Sequence, residues 1–151
     1  MSDCILRIIP RDPGHLPGPA AQGDALALIR IMLPTAAEVR AIVHDEIVFV
    51  DPGGNLESVA CPRCAQQLSL TWWSDAMGIA HALRFSDLVT AVPCCGARLS
   101  LNDLDYSWPA GFARFLIEAR EPSLRDWLDA DAVARIETAL ATRVRQILAR
   151  Y

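Results

Sequence analysis

The sequence predicts an α+β fold, an antiparallel sheet with helices on one face and a cysteine-bearing insertion. Three observations predict it. Short β-branched runs recur towards both ends of the chain, three stretches carry apolar residues at helical spacing, and four of the five cysteines fall in two mid-chain clusters. At 151 residues the chain fits one domain, 1–151, and buries a core without staples. Residues 58–101 read as an insertion within it.

Cys4 to Ile9 is an apolar run stopped by Pro10, and the breaker-rich residues that follow read as a loop. From Ala20 to Leu33, Leu26, Ile29 and Leu33 stand at helical spacing and Pro34 supplies a stop, which predicts a helix. Beyond Glu38 the period changes. Val39, Ala41 and Val43 alternate with Glu38, Arg40 and Ile42, and Ile47 to Val50 follows the polar His44-Asp-Glu46, so two strands joined by a turn are expected. Pro52-Gly-Gly-Asn55 is a second turn, and Leu56 to Ala60 leads into the first cysteine pair.

Between the cysteine clusters, Trp73, Met77, Ala80 and Leu83 share one helical face, with Ser74, Gly78 and His81 on another. Phe85 to Val92 reads as a strand delivering Cys94 and Cys95, with Ala97 to Leu101 as its antiparallel return. Asn102 to Gly111 is a polar and aromatic loop, and Phe112 to Ala119 a further strand. Ser123-Leu-Arg-Asp126 resembles a capping box ahead of Val133, Ile136 and Leu140 at helical spacing. The segment from Thr142 to Tyr151 fits a closing strand or a longer helix. With a final strand the order admits a ferredoxin-like sandwich. No internal repeat is read.

Charge narrows the function. The net charge is -4, and all 14 basic residues are arginines scattered without a block, which argues against a dedicated nucleic-acid binder. The first residues show no secretory signal, and no apolar run approaches the ~18 residues of a membrane span. A soluble, cytoplasmic protein is expected, in a compartment where paired thiols signal metal or catalysis more often than disulfides.

Structural zinc takes about four tetrahedral ligands, and a Cys-x-x-Cys turn supplies two. Cys61 and Cys64 have that spacing. The second half departs from it, because Val92 stands where a second Cys-x-x-Cys would place its first thiol. Ligation by both Cys94 and Cys95 requires a turn at Pro93-Cys-Cys-Gly96, which Gly96 permits. The expected site is therefore one Zn2+ held by Cys61, Cys64, Cys94 and Cys95, with His81 as a minor substitute ligand. Such a site is closed, which leaves no open position for catalysis at the metal. Cys4, in its apolar strand, reads as core.

Two other readings are weighed. A thiol-disulfide redox protein would use Cys61 and Cys64, but it wants the first thiol at a helix N-terminus, and Ala65 to Thr71 reads as a strand. A nucleic-acid-binding zinc module would need Arg63, Arg84, Arg98 and Arg114 on one face. Zinc deaminase, zinc protease, serine hydrolase and phosphate-loop signatures are absent.

Trp72, Trp73, Tyr106 and Trp108 flank the cysteines; they read as packing around the metal module or as anchors for another protein, with Asp103 on the same surface. Asn102, Asp103 and Asp105 also fit a solvated turn. The combination of Cys61-Pro-Arg-Cys64, Trp72 to Met77, Pro93-Cys-Cys-Gly96 and Ser100 to Phe115 resembles a group of small uncharacterised bacterial proteins with an embedded zinc-ribbon-like cysteine cluster. The resemblance spans most of the chain, favours a final strand and implies no activity. The expected role is a protein-interaction or adaptor module, including an acidic immunity-type inhibitor.

Overall fold

The computed structural model describes residues 3–123 and 127–151. Its main sheet is built from β1 (Cys4–Pro10), β2 (Glu38–Val50), β8 (Gly111–Arg120) and β9 (Val144–Arg150), in the spatial order β2-β8-β1-β9. Every neighbouring pair is antiparallel. The C-terminal segment is thus a strand, at the edge of the sheet beside β1.

Helix α1 (Pro19–Met32) starts with proline at its first position, where no backbone N–H is needed, and ends before Pro34. Helix α3 (Ala130–Leu140) starts at Asp129, whose side chain accepts from the Ala132 N–H, and ends with Ala141 in the left-handed region at φ 55°. The capping box expected at Ser123–Asp126 lies partly outside the described residues. Ala25, Ile29 and Leu33 from α1 and Ile136 and Leu140 from α3 bury together against Leu6, Ile8, Phe115, Ile117 and Leu148. Both helices therefore cover one face of the sheet.

Across the strands, Glu118 stands beside Arg7 on one side and Arg40 on the other. Its buried carboxylate accepts from Arg7 Nε and Arg40 Nη2, each at 3.2 Å, which offsets the cost of burying it. Arg7 also donates to the Tyr151 hydroxyl, which in turn donates to Asp51. The Pro52–Asn55 turn fastens the far end of β9: Gly54 N–H and Asn55 Nδ2 donate to the Arg150 and Leu148 carbonyls. Gly53, at φ +64°, leaves no room for a Cβ, which would stand 2.2 Å from the Arg150 carbonyl oxygen.

Residues 38–50 form one strand where two were expected. His44-Asp-Glu46 is an irregularity within it, marked by a shift of register between Val43 and Val48. A polar interruption on an edge strand faces water and needs no chain reversal.

The insertion comprises β3 (Val59–Ala60), β4 (Gln67–Leu68), α2 (Leu70–Ala82), β5 (Val89–Ala91), β6 (Arg98–Ser100) and β7 (Asp105–Tyr106). β3 pairs with both β4 and β7, and β5 with β6. The inserted structure therefore continues past residue 101, because β7 returns to β3. Phe85 to Leu88 is no strand: Phe85 has φ 56° and turns the chain out of α2. Val59, Leu68, Val92, Leu101 and Tyr106 form a second core, which meets the main sheet through Phe49 and Phe112.

Candidate metal centre

The four thiols come from two turns of the same build. β3 enters the first, Cys61-Pro-Arg-Cys64-Ala65, and β4 leaves it; β5 enters the second, Val92-Pro-Cys-Cys95-Gly96, and β6 leaves it. In the first, Cys61 N–H donates to the Gln66 carbonyl and Ala65 N–H to the Cys61 carbonyl, both at 2.9 Å. In the second, Val92 N–H donates to Ala97 at 3.0 Å and Gly96 N–H to Val92 at 2.9 Å. Ala65 and Gly96 close the turns at φ 64° and 70°. An internal repeat is therefore present, and Cys61, Pro62, Cys64 and Ala65 correspond in turn to Val92, Pro93, Cys95 and Gly96.

The correspondence accounts for the irregular spacing. Val92 occupies the position of Cys61 and is buried, so it fills core where its counterpart offers a thiol. Cys94, the counterpart of Arg63, supplies the missing sulfur. Because the backbone reverses at Gly96, the adjacent Cys94 and Cys95 both face the first turn: Cys64 and Cys94 Sγ lie 3.3 Å apart, Cys61 and Cys95 Sγ 3.9 Å.

All four sulfurs lie within 4.8 Å of one another. A tetrahedral zinc with bonds of about 2.3 Å places its sulfurs about 3.8 Å apart, so the donor set fits a thiolate-bound metal. No disulfide joins them, and Cys4 lies apart in β1 against the main core. Cys61 is buried, Cys94 half-buried, and Cys64 and Cys95 exposed. The Cys64 backbone N–H draws the Cys61 thiol down to about 7, against burial, and the Arg63 N–H adds to it. Burial, together with the Cys64 and Cys61 side chains, pushes Cys94 up to about 12.

The other candidates are placed differently. His81 packs edge-on against Phe85, with ring centroids 5.5 Å apart, and Asp75 and Asp103 are outside the thiol cluster. Neither Cys61 nor Cys64 stands at a helix N-terminus: β4 follows them, and α2 starts only at Leu70, capped by Ser69. Arg84 pairs with Glu46, and Arg114 Nε donates to the His44 carbonyl.

The aromatic residues serve mainly the packing reading. Tyr106 is buried, donates to the Leu101 carbonyl at 2.7 Å and accepts from Trp73 Nε1 at 3.3 Å. Trp73 also meets Phe49, and Trp108 donates to the Leu148 carbonyl and packs on Trp127. Trp72 is half-buried and Asp103 exposed. Asn102 belongs to no solvated turn: its amide donates to the Arg11 carbonyl and accepts from Phe112 N–H and Arg145, tying β1, β8 and β9 to the insertion. Those partners are remote in sequence, and no local pattern signals them.

Burial, only partly offset by the Trp73 hydrogen bond, pushes the Tyr106 hydroxyl up to about 12 from its ordinary value near 10. A raised phenol contributes stability that is complete below pH ~10 and is lost as pH climbs through the folded value. Metal-bound protein should lose about 3 kcal/mol between pH ~10 and ~12 through this group, and Tyr106→Phe should flatten that loss. Denaturant unfolding at several alkaline pH values checks this; parallel profiles would remove Tyr106 as the cause.

No protein-family model, curated protein or solved structure matches the chain. Among the described residues no helix is long and apolar enough to cross a membrane.

Proposed function

We propose that the four cysteines hold one Zn2+ ion as a closed structural site, and that the module it fixes is a protein-interaction or adaptor module. The carrying observation is the convergence of four thiols from two paired turns within 4.8 Å. Four thiolates complete a tetrahedral shell, so the metal organises the fold and takes no substrate. Zinc suits this donor set, being tetrahedral and redox-inert. The strand order β2-β8-β1-β9 with helices on one face supports reading the main sheet as ferredoxin-like. The protein isolated under reducing conditions without a tag should carry one zinc per chain and release four thiols to a chelator. A metal-free preparation in which Cys61 and Cys64 cycle between dithiol and disulfide would support the redox reading instead.

The interaction reading draws on the surface of the module. Ile79 on α2 and Leu83 just after it are 69% and 51% exposed, and with Val89 they line one groove. Exposed apolar side chains gathered around one groove have the make-up of an interface centre. The charge of -4 suits a basic protein partner, as an immunity-type inhibitor would have. Ile79→Lys with Leu83→Lys should leave metal content and melting temperature unchanged and abolish crosslinking to a basic partner in native extract. Unchanged crosslinking would place the interface elsewhere.

A further inference from the structure

The pairing of β1 with β9 brings two arginines to one cleft. Arg11 follows the end of β1, and Arg145 lies in β9 opposite Ile9. Both line a cleft of about 340 Å3 whose apolar walls are Pro109, Trp127, Val133 and Val144. The remaining polar wall is Gln146, whose amide is already spent on Leu128, accepting from its N–H and donating to its carbonyl. Among the described residues no carboxylate lines the cleft.

Neither arginine has a countercharge among the described residues. The ion pairs present there are Arg7 and Arg40 with Glu118, Arg84 with Glu46 and Arg120 with Glu38. Arg145 spends Nη1 on the Asn102 and Ala110 carbonyls and the Asn102 side chain, all neutral acceptors. Its Nε and Nη2 make no hydrogen bond there. Arg11 donates Nε to the Val144 carbonyl and, among the described residues, makes no hydrogen bond through Nη1 or Nη2. Glu137 accepts from the Val144 N–H, and Asp103 acts on Arg145 without an ion pair.

In a chain of net negative charge, two guanidiniums facing one cavity leave an unbalanced positive field. Burial, and next the charge of Arg11, make the Arg145 guanidinium less willing to hold its proton, as expected of like charges held together. Guanidinium edges match the oxygens of phosphate and carboxylate in pairs, and the indole of Trp127 and the ring of Pro109 offer flat walls to a planar group. The volume suits a small ligand of about mononucleotide size.

We propose that this cleft binds a small oxyanion, a phosphate or carboxylate carried on a planar ring, with Arg11 and Arg145 clamping the oxygens. The site is separate from the cysteine cluster and does not rest on it. Arg145 supports the backbone around Asn102, so Arg11, which is exposed, is the residue to change.

Calorimetric titration of the metal-bound protein at low ionic strength with AMP and benzoate, against neutral adenosine and benzamide, tests the proposal. At least one oxyanion should bind about tenfold or more tightly than its neutral counterpart, and Arg11→Gln should weaken it about tenfold without weakening the neutral compound, as loss of a charged hydrogen bond requires. Binding of AMP alone assigns a phosphate ligand; binding of benzoate alone assigns a carboxylate. Saturation by neither oxyanion at millimolar concentration, neutral compounds binding as well as charged ones, or a folded Arg11→Gln variant binding as well as wild type would each overturn it. The comparison of charged and neutral ligands uses wild-type protein and does not depend on the variant's folding.

Discussion

Cys61→Ser or Cys95→Ser lowers bound metal well below one equivalent per chain and destabilises the module from β3 to β7 by several kcal/mol. The ligands of a structural zinc site act as a unit. Apparent binding free energies in zinc-finger peptides are about 10–16 kcal/mol, so even partial loss exceeds most single core substitutions. The expectation is specific to the module, because the core around α1, α3 and the main sheet is a separate cluster from the one containing Cys61. Unfolding of either variant should therefore separate into two phases, the earlier one reporting α2 and the cysteine turns. Cys4→Ser, altering a thiol in β1, should leave metal content unchanged. Metal analysis with thermal unfolding decides the matter; equal metal in all three variants would remove the proposed ligand set.

Phe112→Ala has the second largest effect, for a different reason. Phe112 is fully buried at the start of β8, with its ring centroid 5.2 Å from those of both Phe49 and Phe85. It is where the two cores meet: Phe49 comes from β2, Phe85 from the turn after α2. Truncating such a ring costs about 3–5 kcal/mol from lost burial and the cavity left behind. Metal content should stay at one equivalent, because the cysteine turns are closed by their own hydrogen bonds. Denaturant unfolding followed by hydrogen exchange in α2 checks this; a loss below ~1 kcal/mol would show that the junction collapses to fill the space.

The legible parts of the fold were those with a local cause. Pro10 and Pro34 mark the end of one strand and of one helix, and the alternation through Phe112 to Ala119 marks the strand that runs between β1 and β2. The four cysteines were legible as one cluster from their number and their grouping in the chain. Their symmetry was hidden by one substitution, Val92, which keeps the turn and removes the thiol. The single run of β2 was hidden by His44-Asp-Glu46, since polar residues signal a turn and a water-facing irregularity alike. Asn102 and the pairing of Arg11 with Arg145 in one cleft were beyond reach, because they depend on strand register between distant segments.

The position of β1 between β8 and β9 sets an order of events during synthesis. Arg7 and Glu118, cross-strand neighbours, are 111 residues apart, and the pairing of β1 with β9 spans more chain still. Contacts of such separation form slowly, because loop closure precedes any reward. The cysteine turns, by contrast, close within their own hairpins and meet each other some thirty residues apart. The cysteine module is therefore expected to form ahead of the sheet, while β1 gains one neighbour only when β8 is made and the other only with β9.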